Sequence, residues 1–465
     1  MNQSAMTNRD GVLVASFRDP SGFVFLKDGV LYRQINTGYR LHYEQLKESG
    51  LYDKLTANRR LVSHEETSPL ERPDADAYRV IKPLIIPFIS YPYEWCFSAL
   101  KDAALTTLDV QLDAIGYGMT LKDASAYNIQ FLDGRPVLID TLSFEIRKPG
   151  APWVAYRQFC QHFVAPLALM SYVDVRLSQL LRTNIDGVPL DLASRLLPAR
   201  TRFKPSLFFH VYLHAASQKR YANGGLKNAW RPRISEKGIK GLVSSLRTAV
   251  AKMTWKPPRT EWGDYYLNTN YTDRAEDKKA VIVSEILETL RPQWVWDLGA
   301  NTGRYSRLAG SKGASVVAFD VDPAAVEANY RQIKTNKETN LLALLLDLTN
   351  PSSGIGWRNR ERQPIHERGR PDAILALALI HHLAITNNVP FDHVALLFRQ
   401  LGGALVIEFV PKSDSKVAHL LATRRDIFPN YDRGTFEKTF SRYYRIERTI
   451  EIPESERSLY LMRSK

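Results

Sequence analysis

The sequence has few of the residues and segments on which several protein classes depend. Only two of its 465 residues are cysteines, Cys96 and Cys160. This scarcity excludes a disulfide scaffold and a cysteine-rich zinc or iron–sulfur site. No run of about 18 apolar residues occurs, so we expect no membrane-spanning helix. The N-terminal residues lack a basic stretch followed by an apolar one, as a secretory signal would have, and therefore predict a cytoplasmic protein.

The net charge of +14 falls within one stretch of the chain. Residues 195–259 contain 15 Lys or Arg and a single acidic residue, Glu236, whereas the rest has 48 residues of each sign. Aromatic residues are interspersed among these cations, and Gly224-Gly225 and Pro257-Pro258 interrupt the stretch. Two interpretations stay open. The stretch is a surface for an anionic partner, such as nucleic acid, lipid headgroups or an acidic substrate, or it is a solvated linker.

Beyond residue 262, apolar runs alternate with amphipathic segments. The predicted strands are 294–298, 315–319, 341–346, 373–378 and 404–409, and two short apolar segments, 444–450 and 458–462, form a candidate antiparallel pair at the end. The predicted helices are 278–290, 323–334, 391–401 and 417–425. Continuous apolar strands that alternate with helices indicate an α/β domain with a parallel sheet covered on both faces.

A glycine-containing loop follows the first of these strands, in the sequence WVWDLGANTGRYSRLA. The strand ends at Asp297, then Gly299, Asn301 and Gly303 lead into a helix. Glycine lets the backbone turn sharply and approach a ligand closely, and asparagine tolerates left-handed geometry better than most residues. The spacing differs from the GxGxxG of nicotinamide-dependent dehydrogenases, which argues against hydride transfer.

Acidic residues end the first three predicted strands. The second strand ends at Asp320, and Asp322-Pro323 then begins a helix. An acid at this position can accept hydrogen bonds from both ribose hydroxyls of a nucleoside. The third strand ends at Asp347, which is placed to receive an adenine amino group. Together with Asp297, these residues predict a nucleoside site at one edge of the sheet.

Four motifs occur in order here: DLGANTG, VVAFDVDP, LLALLLDL and LALALIHHL. On these motifs the C-terminal part, about 200 residues, resembles class I S-adenosylmethionine-dependent methyltransferases. The resemblance implies a Rossmann-like seven-stranded sheet of order 3-2-1-4-5-7-6, with the last strand antiparallel. It also implies S-adenosylmethionine as cofactor.

The resemblance further implies a set of cofactor-binding residues: Asp297, Gly299, Asn301, Gly303, Asp320, Asp347 and Leu348. Asp297 and the two glycines would line the methionine part of the cofactor. Asp320 would hold the ribose, and Asp347 with Leu348 would hold the adenine. Asn301 stands where a glycine is frequent in the family.

Methyl transfer needs positioning of the acceptor and, for many acceptors, a base for its proton. The predicted candidates for this base are His382, just after the fourth strand, and Glu408, at the end of the fifth. His381 is a less favoured candidate. No cysteine follows Cys160, which excludes a thiolate for C5-pyrimidine methylation. The Asp/Asn-Pro-Pro-aromatic motif of many amine methyltransferases is also absent after the fourth strand, which makes an exocyclic amine a less favoured acceptor. Oxygen, nitrogen and carbon acceptors all stay open, and no metal site is predicted in this part.

The N-terminal part carries a second pattern. Leu105, Leu108, Leu112 and Ile115 have the spacing of a helix over 94–115, and strands are predicted at 129–132 and 136–140 around an Asp-Gly turn. With Asp123, Asn128 and Asp140, this pattern resembles the catalytic core of protein-kinase-like phosphotransferases over about 60 residues. The resemblance implies that Asp123 accepts a hydroxyl proton and that Asn128 and Asp140 hold magnesium. It also implies that 84–89 is the last strand and hinge of a small lobe.

This second pattern departs from that family in several places. Leu-Lys precedes Asp123 where the family has His-Arg, Thr-Leu follows Asp140 where it has Phe-Gly, and no glycine-rich loop lies upstream. Three interpretations therefore stay open: an active kinase, a degenerate kinase-like binding domain, and an unrelated α+β domain.

The sequence thus predicts three parts. They are an α+β, kinase-like N-terminal domain at 1–197, a basic linker at 198–261 and a methyltransferase domain at 262–465. The predicted function is S-adenosylmethionine-dependent methyl transfer to an acceptor that the sequence does not identify. The alternative is a bifunctional or regulatory protein, in which the N-terminal domain binds ATP or a partner and the other domain binds cofactor without turnover.

Overall fold

The computed structural model describes residues 11–67, 76–214, 233–257, 273–422 and 425–465. These residues form two compact units. The N-terminal unit contains the described residues up to 256 together with 354–363, and the C-terminal unit contains 257–353 and 364–465. Among the described residues, no helix is both long enough and apolar enough to cross a membrane.

The N-terminal unit combines a four-stranded antiparallel sheet, two strand pairs and a set of helices. Its strands are β1 (Gly22–Lys27), β2 (Val30–Asn36), β3 (His64–Glu66), β4 (Ala77–Pro83), β5 (Met119–Leu121), β6 (Ile129–Leu132), β7 (Arg135–Leu138) and β8 (Phe144–Ile146). The first four pair in the order β1-β2-β4-β3, and β5 pairs with β8 and β6 with β7. The helices of seven residues or more are α1 (Arg40–Glu48), α2 (Leu51–Ala57), α3 (Phe97–Gly116), α4 (Ala165–Tyr172), α5 (Leu190–Leu196) and α6 (Glu236–Lys252).

Two local predictions match this unit and one does not. Helix α3 and the β6–β7 hairpin lie where the sequence places them, and Asp133 and Gly134 adopt the positive φ angles that a tight hairpin turn requires. The predicted strand at 84–89 is wrong, because β4 ends at Pro83 and Leu84 and Ile85 are half exposed. A second proline, Pro87, stands inside that segment and cannot donate to a strand ladder.

The predicted linker at 198–261 also differs from the structure. Its described residues up to 256 belong to the N-terminal unit, and α6 lies within it. Ile239, Val243, Leu246 and Val250 are buried on one face of α6, and this face packs on α3. The Lys101 ammonium donates to the carbonyls of Ala251 and Met253 at 2.7 and 2.9 Å. Helix α6 was not predicted, because its regularly spaced apolar residues lie among the many cationic residues of this stretch.

The C-terminal unit is built on one seven-stranded mixed sheet. Its strands are β9 (Trp294–Leu298), β10 (Ser315–Asp320), β11 (Leu341–Leu345), β12 (Ala373–Ala376), β13 (Ala404–Phe409), β14 (Tyr444–Glu451) and β15 (Ser458–Ser464). They are ordered β11-β10-β9-β12-β13-β15-β14, and β15 runs antiparallel to both of its neighbours. The helices of this unit are α7 (Asp273–Leu290), α8 (Arg304–Ser311), α9 (Pro323–Asn336), α10 (Phe391–Leu401), α11 (Ser415–Ala422) and α12 (Arg433–Phe440).

This strand order is 3-2-1-4-5-7-6 in chain order, which confirms the predicted sheet. The C-terminal unit therefore has the fold of class I S-adenosylmethionine-dependent methyltransferases. Strands β9 to β13 are parallel and consist almost wholly of buried apolar side chains. Their carboxyl ends meet at one edge of the sheet, where α/β proteins bind their ligands.

One segment between β11 and β12 is folded into the N-terminal unit. Residues 354–363 leave the C-terminal unit after Ser353 and return to it at Pro364. Within the N-terminal unit, the Arg18 guanidinium forms a two-point ion pair with Glu361, whose residue is only 3% exposed. The backbone N–H of Gln363 donates a hydrogen bond to the Tyr91 hydroxyl at 2.7 Å. The Arg362 guanidinium lies 4.3 Å from the centre of the Tyr127 ring. This segment is thus anchored by both charge and hydrogen bonding.

Candidate active site

A cavity of about 340 Å³ lies at the carboxyl edge of the C-terminal sheet. Six of the predicted cofactor-binding residues line it: Asp297, Gly299, Asn301, Asp320, Asp347 and Leu348. The predicted base His382 lines it as well. The size is within the range of small-molecule sites, and the wall combines apolar side chains with a few acids.

The glycine loop between β9 and α8 forms one wall of this cavity. Gly299, Asn301 and Gly303 have φ angles of 78°, 52° and 85°, so all three adopt the left-handed conformation. Asn301 therefore occupies the geometry that its residue type tolerates. Gly303 lies outside the cavity lining, and a Cβ there would come within 2.7 Å of the Asn329 amide. A glycine at this position leaves room for the side chains of Arg307 and Asn329.

Asp320 is held at the rim of the cavity by backbone groups. Its carboxylate accepts hydrogen bonds from the backbone N–H groups of Asn301, at 2.7 Å, and Asp322, at 2.9 Å. Burial raises the pKa of Asp320 to about 6, and these two hydrogen bonds act in the opposite direction. The glycine loop and the end of β10 are thus joined through one carboxylate.

Asp297 lies deeper and is only 2% exposed. The Ser306 hydroxyl donates to it at 2.6 Å. Burial raises the pKa of Asp297 to about 7, and the nearby Asp320 adds to this rise. Two acids that share one cavity therefore make the site receptive to a cationic group.

Asp347 lies at the outer end of the cavity. It accepts the amide of Thr349 at 2.8 Å and the Thr349 hydroxyl at 2.6 Å. Asp347 is exposed, unlike Asp297. Solvent accordingly weakens the charged contacts that the Asp347 carboxylate can make.

The two histidines after β12 are placed differently. His382 lines the cavity, whereas His381 is only 2% exposed and lies outside the cavity lining, with the two ring centres 4.0 Å apart. Burial lowers the pKa of His382 to about 4, and the Arg457 charge adds to this. The His382 imidazole is therefore neutral at physiological pH and able to accept a proton.

The structure surrounds Glu408, the other predicted base, with buried partners. Glu408 is completely buried and lies outside the cavity lining. Its carboxylate contacts the Lys279 ammonium at 2.7 Å and the Arg457 guanidinium at 3.3 Å. It also accepts the amide of Ala378 at 2.8 Å. These partners occupy the carboxylate and hold it behind the cavity wall.

The chain is 36% identical to nodulation protein NoeA of Rhizobium meliloti strain 1021 over 472 aligned residues, covering 98% of this chain and 97% of the relative. The chain belongs to the NoeA family. No protein-family model matches it.

Solved structures with low overall similarity to this NoeA-family chain include two methyltransferases. The magnesium protoporphyrin IX methyltransferase ChlM from Synechocystis PCC 6803, solved with bound SAH, is 18% identical at a TM-score of 0.30, over 41% of this chain and 84% of that one. The N-methyltransferase NodS from Bradyrhizobium japonicum WM9 is 10% identical at a TM-score of 0.30, over 41% and 97%.

Several cavity residues of this NoeA-family chain were not predicted from its sequence. Glu276, Lys279 and Tyr305 line the cavity, and the Tyr305 hydroxyl donates to Glu276 at 2.8 Å. The Lys279 ammonium lies 4.9 Å from the centre of the Tyr305 ring. Glu276 and Lys279 are buried polar residues three positions apart on α7. Two charged residues on an otherwise apolar helix face were the signal that could have identified these cavity residues.

In the N-terminal unit of this NoeA-family chain, the kinase-like residues are joined by hydrogen bonds. The Asn128 amide donates to the Ser143 hydroxyl at 3.1 Å, and that hydroxyl donates to Asp140 at 2.6 Å. Burial raises the pKa of Asp123, and the negative charge of Asp140 contributes. The Arg33 guanidinium on β2 contacts Asp140 at 2.6 Å. The described residues contain no group of three or more His, Cys, Asp or Glu side chains arranged to hold a metal ion.

The raised pKa values predict an unusual pH dependence for the stability of this NoeA-family chain. The folded state holds the protons of Asp297 and Asp320 more tightly than the unfolded chain does, since their folded pKa values are about 7 and about 6. Their contribution to stability is therefore greatest below pH 4 and is lost as the pH rises through about 7. Urea unfolding of the Asp297→Asn variant at pH 5 and pH 8 should show less of this loss than the wild type.

The matched control is Asp277→Asn, since the Asp277 side chain is 78% exposed. We expect this variant to keep the wild-type difference between the two pH values. Equal pH dependence of the Asp297→Asn variant and the wild type would contradict the assignment.

Proposed function

We propose that this chain catalyses methyl transfer from S-adenosylmethionine to an acceptor bound at the C-terminal sheet. The observation that carries the proposal is the convergence of Asp297, Asp320 and Asp347 on one cavity. These acids lie at or just beyond the carboxyl ends of three adjacent strands, β9, β10 and β11, in a sheet with the class I methyltransferase order. When bound, the cofactor supplies an electrophilic methyl group, so the protein must bind, orient and exclude water.

The three acids have distinct proposed roles along the cavity. Asp320 accepts the two ribose hydroxyls, because its carboxylate is fixed by the Asn301 and Asp322 amides and faces the cavity. Asp297 attracts the cationic amino group of the methionine part, which favours its ionised form. Asp347 and Leu348 meet the adenine, one through its carboxylate and the other through apolar contact.

His382 is the proposed general base. It lines the cavity beside Leu379 and Leu383, and it is neutral at physiological pH, so one ring nitrogen is without a proton. This role suits a hydroxyl, amine or carbon acid. At saturating cofactor, which favours the ionised forms of Asp297 and Asp320, the rate should therefore stay level between pH 6 and pH 8 and fall as the pH approaches about 4, where His382 becomes protonated.

The test compares His382→Ala with the wild type. We expect methyl transfer from labelled S-adenosylmethionine, to any acceptor that the wild type methylates, to fall about 100- to 10,000-fold. The affinity for S-adenosylhomocysteine, measured by calorimetry, should change less than about threefold, since a base for the acceptor does not hold the cofactor. The exposed His393→Ala variant on α10 serves as control. Undiminished turnover in the His382 variant would remove this residue from the mechanism.

We do not propose that the N-terminal unit transfers phosphate. Asp140 already accepts from Arg33 and from the Leu142 amide at one oxygen, and from Ser143 at the other. The carboxylate that the kinase resemblance assigns to magnesium is thus used mainly within the protein. A binding or regulatory role of this unit is the alternative that the arrangement favours over catalysis.

A further inference from the structure

The segment 195–214 of the N-terminal unit presents large apolar side chains to solvent. Their exposed fractions are Leu196 41%, Phe203 88%, Phe208 42%, Phe209 56% and Leu213 49%. Single exposed apolar residues are common on protein surfaces, but a continuous group of this size marks an interaction surface. We call this segment the aromatic–basic surface.

The aromatic–basic surface rests on a packed base. Leu197, Thr201, Leu207 and Val211 alternate with the exposed residues along the chain and are all buried. The short helical turn Phe208–Leu213 contacts both helix α5 and the turn Ala199–Phe203. The exposed rings are therefore held outward by a fixed backbone, and their exposure is not that of a frayed end.

Part of this surface is concave. Phe209 and Leu213 line a cavity of about 410 Å³ together with Tyr156 and Leu242. His210 is buried at its floor, where the Tyr156 hydroxyl lies 2.8 Å from one ring nitrogen and the Ser245 hydroxyl 3.2 Å from the other. Both nitrogens of His210 have partners inside the protein, so the open part of the cavity is mainly apolar.

Cations surround the apolar residues. Arg200, Arg202 and Lys204 are exposed, and no carboxylate of the described residues forms an ion pair with them. The Arg202 guanidinium lies 5.5 Å from the Tyr212 ring centre and the Lys204 ammonium 5.2 Å from that of Tyr172. The aromatic–basic surface also begins the stretch 195–259, which carries the whole net charge of the chain.

We propose that the aromatic–basic surface docks the protein onto an anionic lipid bilayer. Exposed Phe and Leu side chains enter the boundary between headgroups and acyl chains, while Lys and Arg attract the anionic headgroups. A bilayer fits better than a nucleic acid because Leu196 and Leu213 offer no ring on which a base stacks. This inference concerns the N-terminal unit and does not depend on the proposed methyl transfer.

The experiment uses the full chain and vesicles of phosphatidylcholine, either alone or with about one third phosphatidylglycerol. We expect co-sedimentation with the anionic vesicles, weak association with the neutral ones, and partial loss of binding in 0.5 M salt, about the concentration at which surface charges are largely screened. The triple variant Arg200→Glu, Arg202→Glu, Lys204→Glu should bind at least about 100-fold more weakly, since each surface cation contributes about fivefold. The double variant Phe203→Ser, Phe209→Ser should lose the part of the vesicle binding that persists in 0.5 M salt.

Two controls separate docking from general effects. Phe17 is 50% exposed outside this surface, and Phe17→Ser should bind vesicles as the wild type does. The urea unfolding transition of each variant should match that of the wild type, which reports an intact N-terminal unit. The proposal is overturned if anionic vesicles are not bound, if the variants bind them unchanged, or if a single-stranded oligonucleotide is bound while vesicles are not.

Discussion

Exchange of Asp320 for alanine is expected to weaken the binding of S-adenosylhomocysteine at least about 100-fold. The carboxylate accepts two ribose hydroxyls in the proposed complex, and a hydrogen bond to a charged group contributes about 1.5–3 kcal/mol. Its loss also releases the Asn301 amide, which the structure holds at 2.7 Å. Calorimetric titration of the purified chain gives the affinity directly.

Two matched variants give this result its meaning. Asp347→Ala alters an exposed acid of the same cavity, and we expect a loss of less than about tenfold, because solvent weakens such a contact. Asp277→Ala removes an exposed acid outside the cavity lining and should change nothing. Wild-type affinity in the Asp320→Ala variant would refute the assignment of the ribose site.

Removal of the Glu408 carboxylate should produce the largest loss of stability in the C-terminal unit. Lys279 and Arg457 are buried beside it, at 3% and 1% exposure. Removing one partner from a buried ion pair typically costs about 3–5 kcal/mol, because a charge is left without compensation. We expect a drop of this size in the free energy of unfolding of Glu408→Ala. The relevant urea transition is the one that S-adenosylhomocysteine shifts upward.

The comparison for Glu408 is an ion pair on the surface of the same unit. Asp277→Ala breaks a contact with Arg304 at 3.1 Å between partly exposed side chains, and its expected cost is below about 1 kcal/mol. Glu408→Gln keeps an acceptor for the backbone N–H of Ala378. Its free energy of unfolding should therefore lie between those of the Glu408→Ala and Asp277→Ala variants. A Glu408→Ala variant as stable as the wild type would contradict the role given to this network.

This network also explains the conformation of the cavity wall. Ala378 has a φ angle of 50°, which is unfavourable for a residue with a side chain. Glu408 accepts its amide, and Leu377 and Leu379 on either side line the cavity. Glu408 is therefore a positioning residue, since it fixes the turn that leads to His382.

The sheet of the C-terminal unit could be predicted closely because its parallel strands are short apolar runs, and the first three of them are bounded by Asp or Gly. The predicted bounds of β9 and β13 coincide with those in the structure, and β10 differs by one residue. The acids at the strand ends could be placed on one edge because parallel strands align their carboxyl ends. Local sequence was sufficient here, since each signal lies within a few residues of the element it defines.

The role of Glu408 could not be predicted, because its partners are distant in the chain. Lys279 precedes it by more than a hundred residues, and Arg457 follows it only after strand β14. Position at a strand end is the same for a catalytic acid and a buried one, and only the packed structure separates them. The placement of α6 required the same information, since its apolar face is recognisable only against α3.

The path of residues 354–363 has a consequence for inheritance. A gene fragment that starts at codon 257 would encode every strand of the methyltransferase sheet, yet it would also encode Glu361 without Arg18 and Gln363 without Tyr91. A fragment that stops there would lack the segment that those residues receive. One recombination event at this point therefore cannot transfer the N-terminal unit intact, because residues 354–363 of that unit are encoded in the other fragment.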